Sequence, residues 1–510
     1  IRDNIYKKYL KSGNAYYHKK YKCYRNKIVH LIKISKRRYY NDFFNRNKNN
    51  NKKIWSGIKE IVSLKTKNYS FSPNLITHND QVINDPKTIA SAFNDYFSKV
   101  GKNLANKIPE CNYSPEDFLD TPLLHSFYLS PVSAFEIENE ISQLNPSKAS
   151  GPFSIPISIL KLLKFHLSFP LEIIYNASFS YGLVPDQLKT ANVIPVHKKD
   201  SLTDMNNYRP ISLLSVFNKL LEKLMFKRLN FFIDKNNILF DNQFGFRSNH
   251  STTHATLLIT EKIQKAMDEG LYSCGIFLDF SKAFDTVDHN ILIKKLYHYG
   301  IRGIASDWFN SYLKGRCQHV SIGNVTSKNL IITHGVPQGS VLGPLLFLLY
   351  INDFHKCSDF FDFHIFADDT NLFCSDRSLI NLEISINNTL PFIFNWLAAN
   401  KLSLNIKKTN FIIFHPPQKK TLYSVKLFVQ GEEIKQVNTI KYLGIQMDSH
   451  LNWKAHVSYT VKKIKRCIGV LSKIRYFVNI SVLIQLYYSM IFPFLSYGVT
   501  SWGNTYQTTL

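Results

Sequence analysis

"FHIFADDTNLF", residues 363–373, sets Asp368 beside Asp369 between two runs that read as β-strands. Two-residue hairpin turns favour Asn-Gly or Asp-Gly, because glycine accepts a positive φ at little cost. An Asp-Asp tip lacks that glycine and adds repulsion between like charges. Either the acids are solvated at the end of a surface hairpin, or a divalent cation sits over the tip and neutralises both.

A third acid bears on the choice. "CGIFLDF" (274–280) reads as a buried strand reaching Asp279, 89 residues before Asp368. If the two segments are neighbouring strands of one sheet, three carboxylates converge on one face and repel unless they hold cations. Hard oxygen donors suit Mg²⁺, which keeps several waters and completes its shell with substrate phosphates. Two such ions, roughly 3.5–4 Å apart, clamp the attacking and leaving oxygens of an in-line phosphoryl displacement. Asp-x-x-x-x-Phe plus Ala-Asp-Asp is therefore a minimal kit for nucleotidyl transfer, though both pieces are short.

The bulk composition fits such chemistry. The 510 residues are 45% apolar and 14% aromatic, which is globular and leaves room for several lobes. The net charge is +26, and residues 1–70 hold 20 Lys/Arg against only Asp3, Asp42 and Glu60, so 17 of those charges lie there. A field of that sign suits nucleic acid or an anionic membrane surface. Seven scattered cysteines contain no C-x-x-C pair, so no zinc site or disulfide framework is indicated. The stretch closest to a membrane span, "SVLIQLYYSMIFPFLSYGV" (481–499), contains Gln485, three serines and Pro493, and reads as a buried helix pair. The chain opens at Ile1 without a methionine or signal peptide, which reads as a fragment.

Along the chain, 1–67 read as basic helices broken by the polar run "NRNKNNNKK" (45–53). Residues 87–108 form an amphipathic helix with Ile89, Phe93, Phe97 and Val100 on one side. From 131 to 270 helices alternate with loops, "NVIPVHKKD" being a strand into a basic turn. The core that follows is mixed α/β, and the tail from 452 is helical and basic.

These residues carry a resemblance. "FLDFSKAFDTVDH", "GVPQGSVLGPLLFLLYINDF", "FADDTNLF", "KLSLNIKKT" and "IKYLGIQMD" stand in the order of the palm motifs of reverse transcriptases, in the version of non-LTR (LINE, jockey-like) retrotransposons. "NNYRPISLLS" and "QFGFRSNHSTTHA" resemble the fingers segments of the same family. "FNDYFSKVGKNLA" upstream and "YYSMIFPFLSYGVTSWGN" downstream are also similar to it. The resemblance implies an α+β right-hand polymerase: fingers at 131–270, palm at 271–447 and thumb at 448–510. Before them stand a basic helical extension at 1–68 and a connector at 69–130.

It also implies roles. Asp279, Asp368 and Asp369 match the metal-binding acids for two Mg²⁺ ions, with Mn²⁺ as a substitute. Phe284 matches the bulky gate that clashes with a ribose 2′-OH, although an aromatic there also suits an ordinary core. Gln338 and Gly339 resemble the loop against the nascent base pair. Lys198, Lys199 and Arg209 match the basic positions that grip the incoming triphosphate, and Arg offers a bidentate fork for phosphate. A solvated turn accounts for Lys198 and Lys199 equally well. Lys408 matches the lysine proposed to protonate pyrophosphate, with Lys407 an ambiguity of one position. Tyr442, Leu443 and Gly444 resemble the primer grip. Asp285 and Asp288 have no metal role in the pattern and read as structural.

The implied substrates are an RNA template, a DNA primer and deoxynucleoside triphosphates, with no membrane and with the nucleus and cytoplasm as the setting. Priming from a nicked chromosomal end belongs to the same implication. One departure stands out: "SGPFSIP" (150–156) puts Phe153 and Ser154 where the family usually has Asp-Gly. The family's upstream endonuclease and the Cys/His knuckle of some members are not in this sequence. Rival readings are an intron- or telomerase-type enzyme, an RNA-copying RNA polymerase disfavoured by Phe284, and a decayed or co-opted copy that only binds nucleic acid.

Overall fold

The apolar run "YSCGIFLD" becomes the strand Tyr272–Asp279, with seven of its eight residues buried. This computed structural model describes residues 1–47, 50–62, 76–78, 81–147, 151, 155–419 and 423–505. Tyr272–Asp279 is the middle of a five-stranded sheet, ordered Lys435–Gln436, Asn410–Phe414, Tyr272–Asp279, Asp369–Asp376, Asp362–Phe366. All neighbours are antiparallel except the first pair. Successive strand residues point to opposite faces. Cys274, Ile276 and Leu278 thus share a face with Leu372 and Cys374, and all five join the largest apolar core.

That core explains the helix Gly343–Ile351, "GPLLFLLYI", apolar all round and almost wholly buried. Behind it a buried ion pair joins Lys295 to Asp353 at 2.5 Å. Lys295 also donates to the Tyr350 carbonyl at 2.7 Å, and Trp396 Nε1 donates to Asp353 at 2.9 Å. Both charges are hydrogen-bonded beyond their own contact, which is the condition under which buried charges are tolerated.

A second sheet runs Tyr208–Leu214, Thr190–His197, Cys317–Ile322, Val325–Thr326, with Leu330–Ile331 also paired to Cys317–Ile322. The helix Pro86–Ala105 lies on it, started by Asp85, which accepts from Thr88 N–H at 2.8 Å. Its residues Ile89, Phe93, Phe97 and Val100 are all buried, the first three in a cluster with Val193, Tyr208 and Val320. This sheet carries the basic turn and Arg209 to the edge of the site.

Both sheets belong to one compact unit, Ser70–Leu451; Ile1–Tyr69 and Asn452–Leu510 form another. In the latter the helices Arg2–Ser12, Ala15–Arg46 and Asn51–Ile61 break once at Gly13, whose φ is +64, and once inside the asparagine-rich run. Phe44, Ile54 and Ile58 share a core there with Ile474, Val478, Val482 and Leu486. The stretch 481–499 departs from the buried helix pair expected of it. It divides into Ile480–Met490 and Phe492–Ser496, and only Val482 and Leu486 of the first helix are buried. Among the described residues no helix is long and apolar enough to cross a membrane.

Candidate active site

The tip of the Asp-Asp hairpin is a two-residue turn, Ala367-Asp368, between Phe366 and its partner Asp369. Ala367 has φ +55 while Asp368 does not have a positive φ, the pattern of a turn that normally takes glycine first. A neighbouring segment holds it there. Gln243, almost fully buried, accepts through Oε1 from Ala367 N–H at 3.1 Å and Gly245 N–H at 2.9 Å. The same segment follows the strand, Ile365 N–H donating to Asn242 O at 3.0 Å and Phe244 N–H to Ile365 O at 2.8 Å. A Cβ at Gly245 would stand 2.6 Å from Ala367 N, so only glycine allows this approach.

Register then gathers the acids. Asp279 pairs directly with Asp369, and Asp368 precedes it at the tip. Asp369 and Asp368 are open to solvent, yet the cleft walls crowd them. That desolvation, followed by the charges of Asp368 and Asp279, pushes Asp369 up to about 6. Asp368 is raised for the same leading reason, against the pull of Arg209 and Lys198. Lys198 is lowered, first by desolvation and then by Arg209 and Lys408. Lys408 Nζ stands 4.0 Å from Asp279 Oδ2.

Among the described residues no three ligand-type side chains are close enough to form a finished metal centre. The donor set nonetheless fits a hard divalent cation: three carboxylates, two of them with proton affinities raised partly by neighbouring acids, and no sulfur or imidazole.

Two cavities meet at this point. One, about 520 Å³, is bordered by Asp279, Asp368, Lys408 and Arg209, with Lys198 and Lys199 at its basic end. Phe284 forms part of its wall, stacked on Phe347 at 4.5 Å between ring centres. Gln338 lines it too, and Gly339, at φ +115, passes so close to the second sheet that a Cβ would lie 2.8 Å from Ser212 O. The other cavity, about 360 Å³, is bordered by Asp279, Asp369, Lys408, Asn371 and Tyr442. Leu443 lines it and Gly444 completes the turn of the hairpin Thr439–Tyr442/Ile445–Asp448, with Tyr442 packed edge-on to Phe277 at 5.8 Å. Asp279 and Lys408 border both; Lys407 borders neither. A larger cavity, about 640 Å³ beside Phe240 and His355, includes none of the acids of the hairpin.

Three contributors escape a reading of the sequence. Gln243 is the tip's clamp. Lys282, at φ +52, donates to the carbonyls of Asn206 and Tyr208 at 3.1 Å each, tying the turn after Asp279 to the second sheet. Asp285 accepts from Gln338 Nε2 at 2.9 Å, so its position is polar and specific. "QFGF" and "DFSKAFD" signal these positions only as stretches, without saying what each side chain touches. Phe153 and Ser154 lie outside the described residues.

The sequence that builds this site has counterparts among known proteins. Residues 196–447 match the family model of "Reverse transcriptase (RNA-dependent DNA polymerase)", a span holding every acid and base named above from Lys198 to Lys408. A probable RNA-directed DNA polymerase from transposon BS of Drosophila melanogaster is 32% identical over 412 residues, 76% of this chain and 44% of the relative. The RNA-directed DNA polymerase from mobile element jockey of the same organism is 28% identical over 79% of this chain and 45% of the relative. The chain belongs to the non-LTR retrotransposon reverse transcriptases. This jockey-like reverse transcriptase spans less than half the length of those relatives. A third, from transposon X-element of Drosophila melanogaster, is 27% identical over 76% of this chain and 43% of itself.

Proposed function

We propose that this reverse transcriptase is a working RNA-directed DNA polymerase that copies the RNA of its element into DNA from deoxynucleoside triphosphates. The observation that carries the reading is the pair of cavities sharing Asp279 and Lys408. A polymerase must hold a nucleotide and a strand end on opposite sides of one group of acids. The larger cavity, basic at one end and about 520 Å³, suits the nucleotide; the smaller, beside the Tyr442 hairpin, suits the end of the primer.

In this reading Arg209, Lys198 and Lys199 bind the triphosphate, and Phe284 excludes a ribose 2′-OH. Gln338 and Gly339 lie against the new base pair. Tyr442, Leu443 and Gly444 position the primer, and Lys408 Nζ gives a proton to the departing pyrophosphate. Magnesium, or manganese in its place, would be held by Asp279, Asp368 and Asp369 and would supply the positive charge that phosphoryl transfer requires. The side chains contribute alignment and charge, which is most of what the reaction asks of a protein.

The architecture we assign is a right hand, with fingers at 131–270, palm at 271–447 and thumb at 448–510, and with 69–130 as connector. The basic helices at 1–68 hold template and primer through phosphate contacts. The nucleus and the cytoplasm are where the element's RNA would be met.

Primer extension on an RNA template with magnesium tests the reading. The unmodified chain should extend, and Asp368→Asn should lose at least ~10²–10³-fold, the range for removing a single transition-state-stabilising group. A chain that binds the RNA–DNA hybrid yet adds no nucleotide would instead be a co-opted binding protein.

A further inference from the structure

Behind the nucleotide cavity, the turn that carries Asp285 and the loop that carries Gln338 are laced together by their backbones. Val336 N–H donates to Phe284 O at 2.8 Å, and Gly335 N–H to Val287 O at 2.7 Å. Ser212 N–H donates to Gln338 O at 2.8 Å from the other side. Glycine is required at the crossings: a Cβ on Gly335 would meet Asp285 Cα at 2.9 Å, and one on Gly101 would meet Asp285 O at 2.0 Å. The backbones are fixed, so the freedom left to Gln338 is mainly that of its side-chain amide.

We propose that Asp285 is a positioning residue: it holds the Gln338 amide with its nitrogen turned inward and leaves Oε1 to accept from the incoming nucleotide. The inference rests on the reading that Gln338 meets the nucleotide. Asp285 Oδ1 takes the Gln338 Nε2 hydrogen at 2.9 Å. An ionised carboxylate has no hydrogen to give, so the amide oxygen cannot occupy that place. A protonated acid or an asparagine can donate, and either permits the amide to turn over.

The surroundings make this lock sensitive to pH. Asp285 Oδ2 is sealed from solvent and has no hydrogen-bond partner among the described residues. Burial pushes the carboxyl up to about 6, opposed by the Gln338 bond and by the charges of Lys282 and Arg209. Arg316, His289 and His334 border the same small cavity, about 40 Å³, and Tyr96 on the helix Pro86–Ala105 feels the Asp285 charge. Above pH about 6 the group is ionised and the amide is held; below it the proton releases the amide.

The test is steady-state primer extension by the unmodified chain, Asp285→Asn, Gln338→Ala and the double variant, from pH 5 to 8. Asp285→Asn should raise the nucleotide KM about tenfold, the effect of about one hydrogen bond, with kcat little changed. The unmodified enzyme should show a KM that climbs as pH falls through about 6, and Asp285→Asn should flatten that climb. The double variant should be no worse than Gln338→Ala. Its melting temperature separates position from structure: at pH 8 Asp285→Asn removes a buried charge, so the midpoint should hold or rise. An unchanged KM, additive losses in the double variant, or a midpoint falling in step with activity overturns the proposal. If Asp285→Asn does not fold, the unmodified pH profile decides, and a flat KM overturns it. An unmodified chain that extends no primer removes the polymerase reading, and this inference with it.

Discussion

Two of the two-residue hairpins within Ser70–Leu451, those that border the acids, are secured differently. At Leu443-Gly444 both φ angles are positive, +42 and +94, and glycine meets half of that demand on the spot. At Ala367-Asp368 the residue with φ +55 is an alanine, and the correction comes from Gln243, 124 positions away in sequence. The first hairpin carries its instructions locally. The second, which holds the acids, is shaped by another part of the chain, so its geometry depends on the fold being complete. Backbone strain held by surrounding structure is a recurring property of functional sites.

Among changes that bear on how the two turns are held, removing the clamp should have the largest effect. Gln243→Ala leaves two buried N–H groups without an acceptor and frees the tip; kcat in primer extension should fall on the order of 10²-fold, the cost of a misplacement of about 1 Å. Denaturant unfolding should show a loss of about 1–3 kcal/mol. If activity survives Gln243→Ala, the distinction between the hairpins disappears.

A smaller effect belongs to Gly444→Ala, which places a Cβ on a positive φ and should cost about 1–2 kcal/mol. Its kinetic trace should be a raised KM for primer–template with the nucleotide KM unchanged, because Tyr442 and Leu443 border the smaller cavity, which Arg209 does not line. The smallest change is Ala367→Gly. Relief of strain and the entropy of an added glycine nearly cancel, leaving stability within about 1 kcal/mol and activity intact. The sharpening result is the combination: Ala367→Gly should recover part of what Gln243→Ala loses, since a glycine tip has less need of a clamp.

What the sequence disclosed follows the same division. The strand ending at Asp279 was legible because seven consecutive buried positions leave an apolar run. The face of the helix Pro86–Ala105 was legible because Ile89, Phe93, Phe97 and Val100 recur at helical spacing. Periodicity reports burial, and burial is local. It could not separate Lys408 from Lys407, because adjacent lysines differ only in which way the turn sends them. It could not find the Gln243 clamp or the Asp285–Gln338 contact, since each joins segments far apart in the chain. Asp285 read as structural because an acid next to Phe284 has no periodic signature of its own. The apolar stretch 481–499 misled in the opposite direction, its residues being greasy but largely exposed in the structure.

The pairing of Asp279 with Asp369 has a consequence for how this chain tolerates change in length. Side chains alternate across a strand, so a shift by one residue would send Asp279 into the apolar layer and bring Leu278 to the water. The pairing is anchored at its far end by the Ser273 and Ser375 hydroxyls, 2.7 Å apart. Loss or gain of a single codon between these points should therefore abolish the centre outright, whereas two codons would restore its parity.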